Sequence, residues 1–183
     1  MTAIGRSKYS GVAMIFHWVI AIAVIVNWRI AEAAEHGATD AEKGAIMANH
    51  KALGITILVL TLARLAWRLK QKVPPLPDSY KAWEKAVARG LHILFYVLLI
   101  GLPLGGWLGS SFYGRGIEWF GMFSIPALPV GENFETGKAI LELHHTGGSI
   151  FIYLIALHIL AALKHQFLDK EGGITRMLPF GRA

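Results

Sequence analysis

LELHHTGGSIFIYLIALHILAALKH, residues 141–165, sets four histidines in an otherwise apolar run. An imidazole in so apolar a helix costs free energy unless a partner satisfies it. The surrounding chain is of the same character: 183 residues, 54% hydrophobic, 16% charged, with a mean hydropathy of +0.47. A soluble domain carries about 25% charged residues, so the composition points to a membrane protein. Four apolar stretches stand out, roughly 11–31, 52–67, 91–112 and 146–163. Each approaches the ~20 residues that cross a hydrocarbon core. With their polar ends, they predict an all-α, integral membrane four-helix bundle with helices near 11–31, 50–69, 91–112 and 144–166. Residues 1–183 then form one transmembrane domain, without repeats or low-complexity tracts.

The chain has no cysteine, which removes disulfides, thiolate-ligated clusters and covalent haem attachment. The first stretch follows Arg6 and Lys8, and Ala31-Glu32-Ala33 mimics a cleavage site. It is longer than the ~7–15 apolar residues of a secretion signal, and it contains His17 and Asn27. It reads as a retained helix.

Basic residues mark the cytoplasmic loops of membrane proteins. With four spans, one side collects Arg6, Lys8, the 64–89 set and Lys164, Lys170, Arg176 and Arg182, thirteen of the eighteen basic residues. The other side keeps Arg29, Lys43, Lys51, Arg115 and Lys138 among eight acidic residues. Both termini are therefore expected in the cytoplasm. The basic residues flank spans and form no folded basic face, so no nucleic-acid partner is expected. Pro74, Pro75 and Pro77 end the second helix, with Asp78 or Ser79 capping a short amphipathic piece before the third. Tyr113 to Glu142 reads as a long outer loop, rich in aromatic residues, that lies on the membrane or caps the bundle.

Helix phase sorts the histidines. His144 and His158 are fourteen residues apart, about 21 Å along the axis and within roughly 40° of one face. His145 is turned about 220° from His158. An irregular helix would bring His145 in place of His144. His165 lies seven residues beyond His158, again on its face. By depth, His17 on the first helix matches His158, and His50 on the second matches His144. Two inward His/His pairs about 20 Å apart are what bis-histidine ligation of two stacked b haems requires. Gly54, Gly147 and Gly148 leave room for a flat macrocycle. Zinc or copper transport would instead favour His/Asp/Glu clusters at one depth, and the spans lack acids. His92, near the start of helix three, competes with His17 for His158 or sits at a substrate site. His36 falls in a polar loop. Gly101, Gly105 and Gly109 form a small-residue face for helix packing.

The segments Phe16-His17-Trp18, NHKALGI (Asn49 to Ile55), RLAWRLKQKVPPLP (Arg64 to Pro77), the helix-four stretch LHHTGGSIFIYLIALHILAALKHQF and the final DKEGGITRMLP resemble the bacterial cytochrome b561 family. The resemblance covers nearly the whole chain. It implies His17 and His158 at a cytoplasmic-side haem and His50 and His144 at a periplasmic-side haem. It also implies electron transfer between an outer-side donor, a small molecule such as superoxide or a protein, and ubiquinone. Lys51, Arg115 and Lys138 would then attract an anionic donor, against net acidic outer loops. His92 and His165, with Lys164 and Arg89 nearby, would line a quinone site. The implied enzyme is a superoxide:quinone oxidoreductase of the bacterial inner membrane. The alternative is an electron-transfer subunit serving a periplasmic or membrane partner.

Overall fold

The structure is a computed structural model that describes residues 8–36, 39–170 and 173–180. Arg6 and Arg182, counted above for orientation, lie outside the described residues. Four helices run up and down: α1 Gly11–Glu35, α2 Asp40–Lys70, α3 Ala82–Ser111 and α4 Phe134–Phe167. All four are long and apolar enough to cross a membrane. Helix α1 packs on α2, α2 on α3, and α3 on α4. Tyr9 N–H bonds the Arg176 carbonyl, and Trp18 Nε1 bonds that of Met177. Both described ends of the chain therefore meet at one end of the bundle.

The helices start earlier than the hydropathy pattern predicts: α2 at 40, α3 at 82 and α4 at 134. The added turns are polar and are held by capping. Thr39 and Glu42 form a reciprocal capping box at α2, and the Asn133 side chain accepts from Thr136 N–H at α4. Such bonds satisfy backbone donors that the first turn leaves unpaired. The α3 N-cap is Lys81, with Glu84 accepting from its N–H at 2.8 Å. Asp78 and Ser79 do not cap it, and the amphipathic piece is continuous with α3. His50, His92 and His144 consequently lie about ten residues inside their helices, not at the openings.

The loop after α3 is shorter than expected, because residues 134–142 are helical. It holds an antiparallel hairpin, β1 Ile117–Trp119 and β2 Phe123–Ile125, paired Ile117 to Ile125 and Trp119 to Phe123. Its turn takes Phe120 and Gly121 to positive φ, 50° and 72°. The hairpin folds back over the bundle. Ile117 is buried, Trp119 Nε1 donates to Thr56 Oγ1 on α2, and Trp107 Nε1 donates to the Pro126 carbonyl.

At mid-depth, Ile20, Val24, Ile57, Leu99 and Phe151 form the buried core. Many other apolar side chains face outward, among them Ile15, Ile22, Val97 and Leu160. Lipid is as apolar as they are, so helix contact rests on close packing and small residues. Of the predicted glycine face, Gly109 alone meets a neighbour: a Cβ there would lie 2.7 Å from Leu141 on α4. Gly101 and Gly105 face open space.

Candidate functional site

Two histidine clusters lie above and below the apolar core. At the hairpin end, the His50 and His144 rings stand 6.0 Å apart, centre to centre, at 85°. At the end bearing the termini, His17 and His158 stand 6.5 Å apart at 76°. The two levels are separated along α4 by the fourteen-residue step from His144 to His158, about 21 Å.

These spacings fit a metal held between two imidazoles. An imidazole nitrogen binds a metal at about 2 Å, and the ring centre lies roughly 1 Å behind it, so opposed ligands have centres about 6 Å apart. A ligating histidine also needs its second nitrogen held by an acceptor, which fixes the tautomer. At the hairpin end both rings have one. His50 Nδ1 bonds the Asn27 carbonyl at 3.1 Å, and His144 Nδ1 bonds the Leu102 carbonyl at 2.8 Å. Each leaves Nε2 as the free electron pair. Pro103 follows Leu102 within α3 and leaves the Leu99 carbonyl one turn back without its usual helical donor. Gly106 completes the seat. A Cβ there would come within 3.1 Å of the His144 ring, so a side chain at this position would press on the imidazole.

Of the glycines predicted to make room, Gly148 faces open space, and a Cβ at Gly54 would lie 3.8 Å from the Asn27 side-chain amide. Gly147 does not leave a gap: the Leu102 side chain fills it, 2.9 Å from where a Cβ would stand. His145, one residue from His144, points away and is exposed, pairing with Glu35 at 3.3 Å. His36 closes α1, with Nδ1 bonded to the Glu32 carbonyl.

The other cluster is built differently. His92 joins it, with its ring centre 5.7 Å from that of His158. His92 Nδ1 bonds the Ala88 carbonyl one turn back. His17 Nδ1 instead meets Arg64 Nη2 at 3.4 Å, and no hydrogen bond reaches His158 among the described residues. Phe95 packs edge-on against both His158 and Phe151, tying this level to the core.

The remaining predicted residues are spread out. Lys51 is half-buried beside His50, and the charge of Arg115 reaches it from the loop before β1. Lys138 is exposed and pairs loosely with Glu142 at 4.0 Å. His165 stacks on Tyr80, ring centres 4.4 Å apart. Its Nδ1 lies 2.7 Å from Asp169 Oδ2, which Lys164 also reaches at 2.6 Å. The Lys164 ammonium, with His165 beside it, holds the Asp169 carboxyl below its usual range. Sequence reasoning missed Leu102, Gly106 and Arg64. Gly106 carried a faint signal, two adjacent glycines after a helix-internal proline, and Arg64 carried none.

The prokaryotic cytochrome b561 family matches residues 8–180. A probable superoxide oxidase of Yersinia pestis is 28% identical over 174 residues, 95% of this chain and 97% of its own length. Cytochrome b561 homolog 2 of Escherichia coli (strain K12) is 30% identical over 181 residues, 93% of this chain and 91% of its own. A cytochrome b562 of Cereibacter sphaeroides is 26% identical over 175 residues, 93% and 94% of the two chains.

Proposed function

Since the chain belongs to the prokaryotic cytochrome b561 family, we propose that it carries electrons through two b haems, from a periplasmic donor to ubiquinone. It is a multi-pass protein of the bacterial inner membrane, a haem b protein that moves electrons across it. In the proposed arrangement both termini are cytoplasmic, as the basic residues at that end favour. His50 and His144 hold the periplasmic-side haem, and His17 and His158 the cytoplasmic-side one. The observation that carries this reading is the pair of imidazole spacings, 6.0 and 6.5 Å, stacked at two depths of one bundle.

When bound, haem b supplies reversible one-electron transfer. The chain's own residues supply orientation, access and protons. The Asn27 and Leu102 carbonyls fix His50 and His144 in the ligating tautomer. The hairpin, pinned by Trp119 to Thr56, covers α2 beside the periplasmic pair and limits access from that side. Lys51 and Arg115 draw an anionic donor towards it, and superoxide fits that charge. One relative bears the name of a probable superoxide oxidase, which supports this donor and oxidoreductase activity.

At the cytoplasmic end, His92 and His165 serve ubiquinone. A quinone carbonyl needs a hydrogen-bond donor, and a proton once reduced. Histidine exchanges protons near neutral pH. His165, held by Asp169 under Tyr80, stands where a cytoplasmic proton comes in. Quinol-driven haem reduction in His92→Ala and His165→Ala tests this site. It should slow severalfold in protein that keeps both haems, while reduction by a periplasmic-side donor stays normal. Unchanged quinol kinetics in both variants would put the quinone elsewhere.

A further inference from the structure

A small cleft of about 40 Å³ opens at the cytoplasmic end between the start of α1, the end of α2 and α3. Its lining includes Lys8, Arg64, Arg68 and Lys72 and no carboxylate. Both arginine side chains lie over the Tyr96 ring, with guanidinium carbons 5.6 and 5.9 Å from its centre. Neither arginine has an acidic partner among the described residues. The Tyr96 hydroxyl is buried without a hydrogen-bond partner. Lys8 is committed to the Leu178 and Phe180 carbonyls, and Trp67 Nε1 donates to Ser10 Oγ, bracing the cleft wall. Two half-buried guanidiniums stacked on one ring repel each other. Leaving them unneutralised is costly, whereas an oxyanion between them would take charge-assisted, forked hydrogen bonds.

One contact has to change when the cytoplasmic pair takes its metal. If His17 held the cofactor through Nε2, its proton would sit on Nδ1, which could not accept the hydrogen bond that Arg64 gives it. Arg64, already over Tyr96 beside Arg68, would then be left without His17 as an acceptor. We propose that Arg64, Arg68 and the Tyr96 hydroxyl form an oxyanion site at the cytoplasmic end. It takes an anionic oxygen group, a carboxylate or phosphate, presented from within the membrane. Two sources carry that chemistry, a propionate of the cytoplasmic-side haem and the phosphate of an anionic lipid. The first source rests on the haem reading above.

The test uses purified holoprotein as wild type, Arg64→Gln/Arg68→Gln and Arg64→Lys/Arg68→Lys. Haem midpoint potentials are read by spectroelectrochemical titration. Melting temperatures are read in phosphatidylcholine micelles with and without phosphatidylglycerol. With a propionate in the site, the reduction equilibrium of one haem falls about tenfold in the Gln variant, about 59 mV for one electron. The other haem does not move, and the Lys variant falls much less. With a lipid phosphate, phosphatidylglycerol raises the wild-type melting temperature, and the Gln variant loses that gain. If the double Gln variant does not fold, Arg68→Gln alone gives the same changes at about half size. If both potentials and the lipid-dependent gain match wild type, the proposal is overturned. Should the wild type lack the cytoplasmic-side haem, the haem reading fails, and the lipid comparison alone decides for or against the oxyanion site.

Discussion

The two histidine levels share a spacing but not a construction. At the hairpin end, each ring is fixed by a backbone carbonyl, His144 lies on Gly106, and no third histidine touches the pair among the described residues. At the opposite end three histidines crowd together, His17 faces a guanidinium, and His158 has no hydrogen-bond anchor among the described residues. Backbone anchors do not rearrange cheaply, whereas side-chain neighbours do. In the proposed arrangement the first pair is held by the protein's own backbone, whereas the second rests on side-chain neighbours.

The largest expected contrast lies between His50→Ala and His17→Ala. His50→Ala should lose the periplasmic-side haem outright. His17→Ala should keep part of the cytoplasmic-side haem with an altered spectrum, because His92 already stands 5.7 Å from His158 and shows a free Nε2. Haem content and visible spectra of the two purified variants check this. Equal, complete losses would mean that the two ends are built alike.

A smaller effect is expected from Gly106→Ala. Its methyl group would press on the His144 ring from 3.1 Å, and overpacking of this kind costs about 1–3 kcal/mol. Occupancy of the periplasmic-side haem should fall severalfold, with the other haem retained. Gly148→Ala, facing open space, is the matched control and should change nothing.

How much of this contrast was legible in the sequence follows from which parts are periodic. The 100° step of a helix separates His144 from His145, and the structure brings the His144 ring to His50 while His145 turns to Glu35. Hydropathy likewise gives four helices, since an apolar run must reach across lipid. It misses the helix starts, because Thr39 and Asn133 caps extend polar turns that hydropathy reads as loop. The anchors are not periodic at all. The Leu102 carbonyl belongs to a residue whose side chain says nothing of it. Arg64 meets His17 only because α1 and α2 pack side by side, a contact spanning 47 residues.

The smallest effect is expected at half-buried Lys51 and exposed Arg115. Lys51→Gln and Arg115→Gln should each slow reduction by superoxide by about a factor of a few, and added salt should reduce the wild-type rate towards theirs. Exposed charges act over about 8–10 Å at ordinary ionic strength and are screened beyond it. Stopped-flow rates across a salt series check this. A rate indifferent to salt and to both substitutions would remove charge attraction from the periplasmic site.

The central claim, two haems on two depth-matched histidine pairs, is tested most directly by the haem-to-polypeptide ratio, measured by pyridine haemochrome on purified wild-type protein. We expect two b haems per chain, falling to one in His144→Ala and staying at two in His145→Ala. A wild-type ratio of one or none, or a haem lost with His145 and kept without His144, would contradict it.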